Sequence, residues 1–473
     1  MKAVTLLLAC ALVFEAAYAD DTGGVAPPAP ATPSPLAPAT DSSGPLAATE
    51  PVESLPPPEE PAIPTEPVQD RPPFEAEHPS TGYYPDYFND PEQNLGAPDS
   101  SNCAGNPITL STGNKFQNET DIASFRVDAL QLTRFYNSQR KVHWTHTYSS
   151  YIRFHSWGLK LIMPDGQAMQ FVYSADRKSA TSPATAQGHF KKVGDTWEYR
   201  DMQKDTRAYD AKGRLIQWRG HSGYAWSIRY DNLNAIVTDS YTNTLTLMHD
   251  SYGRLQTAST SAVTVRYAYD KAGRLLAATR DFGTVQKKRQ YHYEDPRFVH
   301  YLTGITDERG IRFATWTYDG SGRANSSEHA GGTERVALRY ENGGPTVLTN
   351  ALGKESVHHF TVVKSVKRTV RVEGKPSPNC AMSDAYFNYD DAGNLVERTD
   401  ENGVKTRYAY NALGLETART EAYGTPIART ITTQRDSDGV LPISITEPGK
   451  KTVLRYDTQG RLVEQSIQGS GAQ

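Results

Sequence analysis

The sequence predicts an all-β, solenoid-like chain. It reads as one short hairpin unit repeated over residues 206–467, behind a smaller β-rich unit and a Pro-rich spacer. Three observations carry this. A motif that in its fullest form is Tyr-Asp-x-x-Gly-Arg-Leu returns along the chain, most copies 19 to 25 residues after the last. The runs before and after it alternate apolar and polar residues, the period of a half-buried strand. Tyrosine, which suits pleated surfaces, occurs 27 times in 473 residues, and Leu-rich helical windows are scarce.

The elements follow in order. Residues 1–19 read as a secretion signal: Lys2, then an almost wholly apolar run, then Ala17-Tyr18-Ala19 with cleavage expected between Ala19 and Asp20. That run is too short to span a bilayer, and none of the required length follows it, so the expected mature chain is exported and has no transmembrane span. A rival reading takes Leu7-Leu8-Ala9-Cys10 as a lipoprotein box with Cys10 lipidated. Residues 20–80 are rich in Pro, Ala, Thr, Ser and Glu, a composition that buries too little apolar area to offset ordering, and they predict a disordered linker. Residues 81–205 carry turn signals such as Gly105-Asn106-Pro107 between short apolar runs, and "LKLIMPDGQAMQFVY" reads as a hairpin around Pro164-Asp165-Gly166. Residues 468–473 read as a flexible tail.

Within 206–467 the unit can be read residue by residue. In "SAVTVRYAYDKAGRLLAATR", Val263, Val265, Tyr267 and Tyr269 share one strand face, and Asp270 opens a turn. Aspartate at a first turn position accepts backbone N–H bonds, and Gly273 takes the left-handed conformation that returns the chain. The expected caps are therefore Asp210 with Gly213, Asp250 with Gly253, Asp270 with Gly273, Asp319 with Gly322, Asp390 with Gly393 and Asp457 with Gly460; Asp231 is read as a cap without a glycine. A carboxylate recurring once per hairpin reads as structure, because catalysis needs several groups converging on one place.

Other chemistry is sparse. Lys+Arg number 50 and Asp+Glu 54, a net charge of -4, so no basic field marks a nucleic-acid binder. His143 and His146 lack the Glu or Cys that completes a metal pattern, His358 and His359 point to opposite strand faces, and the Asp436 loop lacks the acidic ligands of a calcium site. Neither a phosphate loop nor a nucleophile elbow is present, so neither catalytic residues, metal nor cofactor is expected. Cys103 and Cys380 either form a disulfide tying the early unit to the late repeats or stand as two thiols.

The Tyr-Asp-x-x-Gly-Arg-Leu units resemble the YD repeats of bacterial Rhs proteins, and "GNPITLSTGNKFQNETD...LTRFYNS" resembles the domain of unknown function that opens them. The resemblance covers about Cys103 to Ile467. It implies strands wound as a spiral sheet, which in large relatives closes into a shell around a C-terminal toxin. The Pro-x-x-x-x-Asp-Pro-x-Gly release junction of those relatives is missing from this sequence, and roughly a dozen repeats make a spiral too short to close, so the expectation is a partial, open shell. The expected role is a non-enzymatic scaffold or binding protein of the periplasm, cell envelope or extracellular space, with a cell-surface glycan or another protein as partner. The alternative is a partial shell of a polymorphic-toxin system acting with a separately encoded effector.

Overall fold

The computed structural model describes residues 90–469, apart from 125–128, 142, 183–186, 222, 343, 377–382 and 458–459. The expected signal, the Ala19–Asp20 cleavage point, Cys10 and the 20–80 linker lie outside the described residues. Two pieces make up the rest. Phe116–Ile122, Leu132–Asn137 and Trp144–His146 form a three-stranded sheet, flanked by the short pair Cys103–Ala104 and Ile108–Thr109. From Tyr151–Phe154 to Leu462–Gly469, thirty strands then follow one another in a single antiparallel ladder.

The ladder arises because most connections are tight turns. The expected hairpin forms with Gly158–Ile162 paired to Ala168–Tyr173, and the repeats continue it without a break. The expected boundary at 205/206 leaves no mark, since Arg200 pairs with Thr206 across it. At the far end the last strand runs through Gln468 and Gly469 of the expected tail and pairs with Lys450–Tyr456. No ladder among the described residues joins that last strand to the first. The sheet instead closes on itself early: Tyr151 bridges Arg214, and the Ile152 N–H donates to the Gly213 carbonyl at 2.8 Å. The strands between them thereby curl around Phe171, Phe190, Trp197, Tyr199 and Tyr209, all buried.

One apolar core runs from Ala104 to Leu338 and joins the two pieces. The wall of repeats wraps the three-stranded sheet, and side chains of the wall satisfy carbonyls of the segment that leads into it. Trp316 Nε1 donates to Asn106 O at 2.9 Å, Thr346 Oγ1 to Leu110 O at 2.8 Å, and Thr369 Oγ1 to Ser101 O at 2.9 Å. Beyond Leu338 the covering thins. The four strands Ser383–Tyr389, Leu395–Thr399, Lys405–Tyr410 and Glu416–Glu421 contain no fully buried residue. The inner face continues through them from Val372 to Ala385, Phe387, Arg398 and Thr406, then Tyr408, Arg419 and Ile431.

Candidate functional site

The recurring carboxylate is bonded inside its own turn. Asp270 Oδ1 accepts from the Arg274 N–H at 2.8 Å, and Oδ2 accepts from Arg274 Nε at 2.5 Å. The backbone closes the same loop twice, Gly273 N–H to Asp270 O and Asp270 N–H to Arg274 O, each at 3.0 Å. Gly273 sits at φ +80°, and the ladder slips by one residue so that Tyr269 faces Leu275. This is a tight turn followed by a glycine bulge, the three-residue hairpin that left-handed glycine permits. Asp210, Asp250, Asp319 and Asp457 hold Arg214, Arg254, Arg323 and Arg461 in the same two ways, and Asp390 holds Asn394. Their glycines, Gly213, Gly253, Gly322, Gly460 and Gly393, all lie at positive φ.

Asp231 is a correction. It ends the strand Ala225–Asp231 and pairs directly with Asn234 across a two-residue turn, with Asn232 at φ +53°. A turn that short leaves no amide four residues on within the loop for the carboxylate to receive. Sequence reasoning also missed a second set of caps. Asp201, Asp239, Asp307, Asn350 and Asp400 bind the amide four residues ahead on the opposite rim of the sheet. The Asp/Asn-to-Gly spacing of three at Asp307, Asn350 and Asp400 was the available signal; these turns lack the preceding tyrosine.

That tyrosine joins one unit to the next. Tyr269 Oη donates to Leu255 O at 2.9 Å, Tyr230 Oη to Leu215 O at 2.8 Å, and Tyr410 Oη to Leu395 O at 2.7 Å. In each case the acceptor is the Leu of the preceding Gly-x-Leu. The arginine beside that Leu lies over the same ring: Arg254 over Tyr269 at 4.9 Å and Arg214 over Tyr230 at 4.5 Å. The motif therefore spells both a turn and a splice, with Asp orienting Arg, and Arg and Leu receiving the next Tyr. Burial raises the phenol of Tyr269 to about 12, so at neutral pH it remains a donor. Tyr269→Phe keeps the ring and removes the bond; we expect a loss of about 1 kcal/mol in denaturant unfolding, with the midpoint moved and the slope unchanged.

Titratable groups converge elsewhere, where the wall meets the three-stranded sheet. Arg134 forms a two-pronged pair with Asp121, its Nη2 to Oδ1 arm measuring 2.9 Å, and both side chains are almost fully buried. Tyr267 Oη donates to Asp121 Oδ2 at 2.7 Å, and Arg134 Nη2 donates to Tyr291 Oη at 2.6 Å. Beside this cluster Arg289 bridges Glu119 at 2.7 Å and Glu308 at 3.0 Å. Every charge here has an opposite partner in contact, the arrangement of a structural clamp.

Family comparison agrees with both halves of this geometry. Residues 105–171 match the Domain of unknown function DUF6531, and residues 389–426 match the RHS Repeat. The chain carries an RHS repeat behind a DUF6531 domain. No curated protein matches it. Among solved structures it is similar to the crystal structure of TcdB2-TccC3-Cdc42, at 13% identity over 76% of this chain and 19% of that one, with a TM-score of 0.32. It is also similar to the Photorhabdus luminescens Tc holotoxin pore carrying a TccC3 mutation, at 10% identity over 78% of this chain and 23% of that one, with a TM-score of 0.27. The chain thus spans about a fifth of the solved chains it matches.

The remaining sequence candidates fall around the DUF6531 domain and the late repeats. Cys103 is disulfide-bonded, and its expected partner Cys380 lies outside the described residues. Asp436 caps its own turn by accepting from the Val440 N–H at 2.8 Å and also receives Lys204 Nζ at 2.8 Å, with Asp438 at 3.3 Å from the same ammonium. His358 Nε2 meets Ser356 Oγ at 3.0 Å beside a shallow cavity lined by Ser356, Lys354, Val372 and Glu401. Burial, with His359 adjacent, lowers that imidazole to about 4, too weak a base to take a hydroxyl proton usefully at neutral pH. His143 and His146 of the DUF6531 domain each face a histidine of the wall rather than each other, His143 stacking on His300 and His146 lying beside His249.

Proposed function

We propose that this protein is an exported, non-enzymatic scaffold that holds a partner against the open part of its sheet. One observation carries the reading. The three-stranded sheet, the segment leading into it and the core cover the wall as far as Thr369, whereas Phe387, Tyr408 and Tyr410 on later strands stay only half-buried. A face that pairs aromatic rings with Arg398 and Arg419 suits either a sugar, by stacking and guanidinium hydrogen bonds, or a protein segment, by apolar burial. The caps add rigidity, since each carboxylate is spent within its hairpin. Export rests on the Met1–Ala19 sequence and the spacer behind it.

Fractionation of native cells, followed by cross-linking and mass spectrometry, tests location and partner together. The reading expects a chain beginning at Asp20 outside the cytoplasm, with cross-links from 383–421 to a second protein or protection of that region by added glycan. A protein cross-link favours the separately encoded effector. A cytoplasmic chain retaining Met1–Ala19 would contradict export.

A further inference from the structure

We infer that the seam between the three-stranded sheet and the repeat wall is an acid-labile clasp, closed by two histidine pairs that lie across it. One pair is His146 with His249, ring centroids 6.2 Å apart. The other is His143 with His300, stacked at 6.0 Å with an interplanar angle of 21°. In each, the first imidazole sits on the last strand of the three-stranded sheet or just before it; on the wall side His249 ends the strand Thr244–His249 and His300 lies in the connection 293–303. Two imidazoles this close are compatible while both are neutral and repel when both carry a proton.

The surroundings of the first pair make protonation costly. His146 is the direct cross-strand partner of Arg134, whose guanidinium is permanently charged. The Tyr148 N–H points at His146 Nδ1 at 3.3 Å, so a proton added there would set donor against donor. On the wall side His249 Nδ1 is buried with no hydrogen-bond partner among the described residues; the Leu233 carbonyl lies within reach of the ring, but burial outweighs it, and the adjoining carboxylate of Asp250 is already engaged by Arg254. On the domain side Asp121, the acid bonded to Arg134, is committed to Arg134 and Tyr267. Tyr148, the remaining titratable neighbour, has a phenol raised by burial and stays neutral. Around the second pair, His143 Nδ1 donates to Asn137 O at 3.0 Å, Arg140 adds positive charge, and Tyr136 and Tyr301 pack as neutral rings. No carboxylate is among the groups that act on His143.

The direction of each titration agrees. Burial, then His249 and Arg134, lowers His146 to about 3, and burial lowers His249 and His143. A histidine whose folded value is depressed contributes stability that is whole above its unfolded value of about 6.5 and is lost as pH falls toward the folded value. The seam therefore loosens between about pH 6.5 and 4, above the range in which the turn carboxylates such as Asp250 and Asp319 titrate, since both are held below the ordinary value in the fold. The consequence is a domain that stays seated at neutral pH and opens in a mildly acidic compartment, with the hairpins of the wall still capped.

Hydrogen exchange of the full-length protein, corrected for the intrinsic pH dependence of amide exchange, reads this directly. Opening of Leu132–Asn137 and Trp144–His146 should rise about tenfold or more per pH unit below 6.5, while strands remote from the seam, such as Thr430–Gln434, change far less. His146→Asn with His249→Gln replaces both imidazoles by neutral amides, the Asn oxygen standing where Nδ1 accepts from Tyr148. That double variant should lose most of the pH slope. An unchanged slope in the variant, or equal loosening of all strands in the wild type, overturns the clasp. Should the variant not fold, deuteration of each histidine at C2 in the wild type decides instead: His146 must titrate well below 6.5 in the folded chain, and a value near 6.5 overturns it.

Discussion

Asp121→Asn will destabilise the protein by about 3–5 kcal/mol, the largest loss expected from any single polar substitution in it. The shape of the side chain is nearly kept, so packing does not explain the effect. What changes is that the Arg134 guanidinium, 3% exposed, loses the one carboxylate bonded to it among the described residues. Its other contacts are the Tyr291 hydroxyl and the faces of Trp144, Tyr267 and Tyr291 at 4.7, 5.1 and 5.2 Å, none of which carries a full negative charge. A buried cation with only dipoles and rings around it remains strongly desolvated. Chemical unfolding should show the full loss for Asp121→Asn and a partial recovery when Arg134→Met is added, because the double variant buries no charge. A loss below about 1 kcal/mol would mean that water reaches the pair.

Gly213→Ala should cost about 3 kcal/mol, and Gly253→Ala about 1. The two glycines occupy the same place in the same turn, at φ +82° and +74°, so the backbone strain of adding a Cβ is common to both. Their surroundings differ. A Cβ on Gly253 would meet nothing within 4 Å, whereas one on Gly213 would lie 2.2 Å from the Ile152 carbonyl oxygen. That oxygen belongs to the strand whose neighbour Tyr151 bridges Arg214, the point where the early sheet closes. Gly213→Ala must therefore pry the closure open as well as strain the turn. Paired thermal melts of the two variants check this, and equal shifts would remove the distinction.

Much of this fold is visible in the sequence because one local rule is written many times. Tyr-Asp-x-x-Gly-Arg-Leu holds the strand end, the cap, the left-handed residue and the strand start within seven positions, and nothing distant is needed to form it. The hairpin at Pro164-Asp165-Gly166 was legible for the same reason. Asp231 shows where the rule fails: the tyrosine and aspartate are present, but the glycine that sets turn length is not, and a two-residue turn displaces the cap. The splice from Tyr269 to Leu255 was hidden because it joins residues on neighbouring hairpins, and spacing alone does not say which carbonyl a phenol reaches. The Arg134–Asp121 clamp was hidden more deeply still. Asp121 and Arg134 sit in a stretch without a repeat, and their partners Tyr267 and Tyr291 lie more than a hundred residues on. Nothing in a single sequence marks those as one site; winding of the sheet brings them together.

That winding is the central claim, and one contact reports it alone. Lys204, at the tip of an early turn, holds Asp436 and Asp438 of a late repeat turn at 2.8 and 3.3 Å. Lys204 precedes the two carboxylates by 232 and 234 residues, and only a ladder that travels around and returns can join them. A zero-length carbodiimide cross-link converts such an ion pair into an amide. Applied to dilute full-length protein and read by peptide mass spectrometry, it should yield an intramolecular peptide joining Lys204 to Asp436 or Asp438, and Lys204→Gln should abolish it. Absence of that peptide, with other ion pairs such as Lys405–Glu397 cross-linking normally, would contradict the wound sheet.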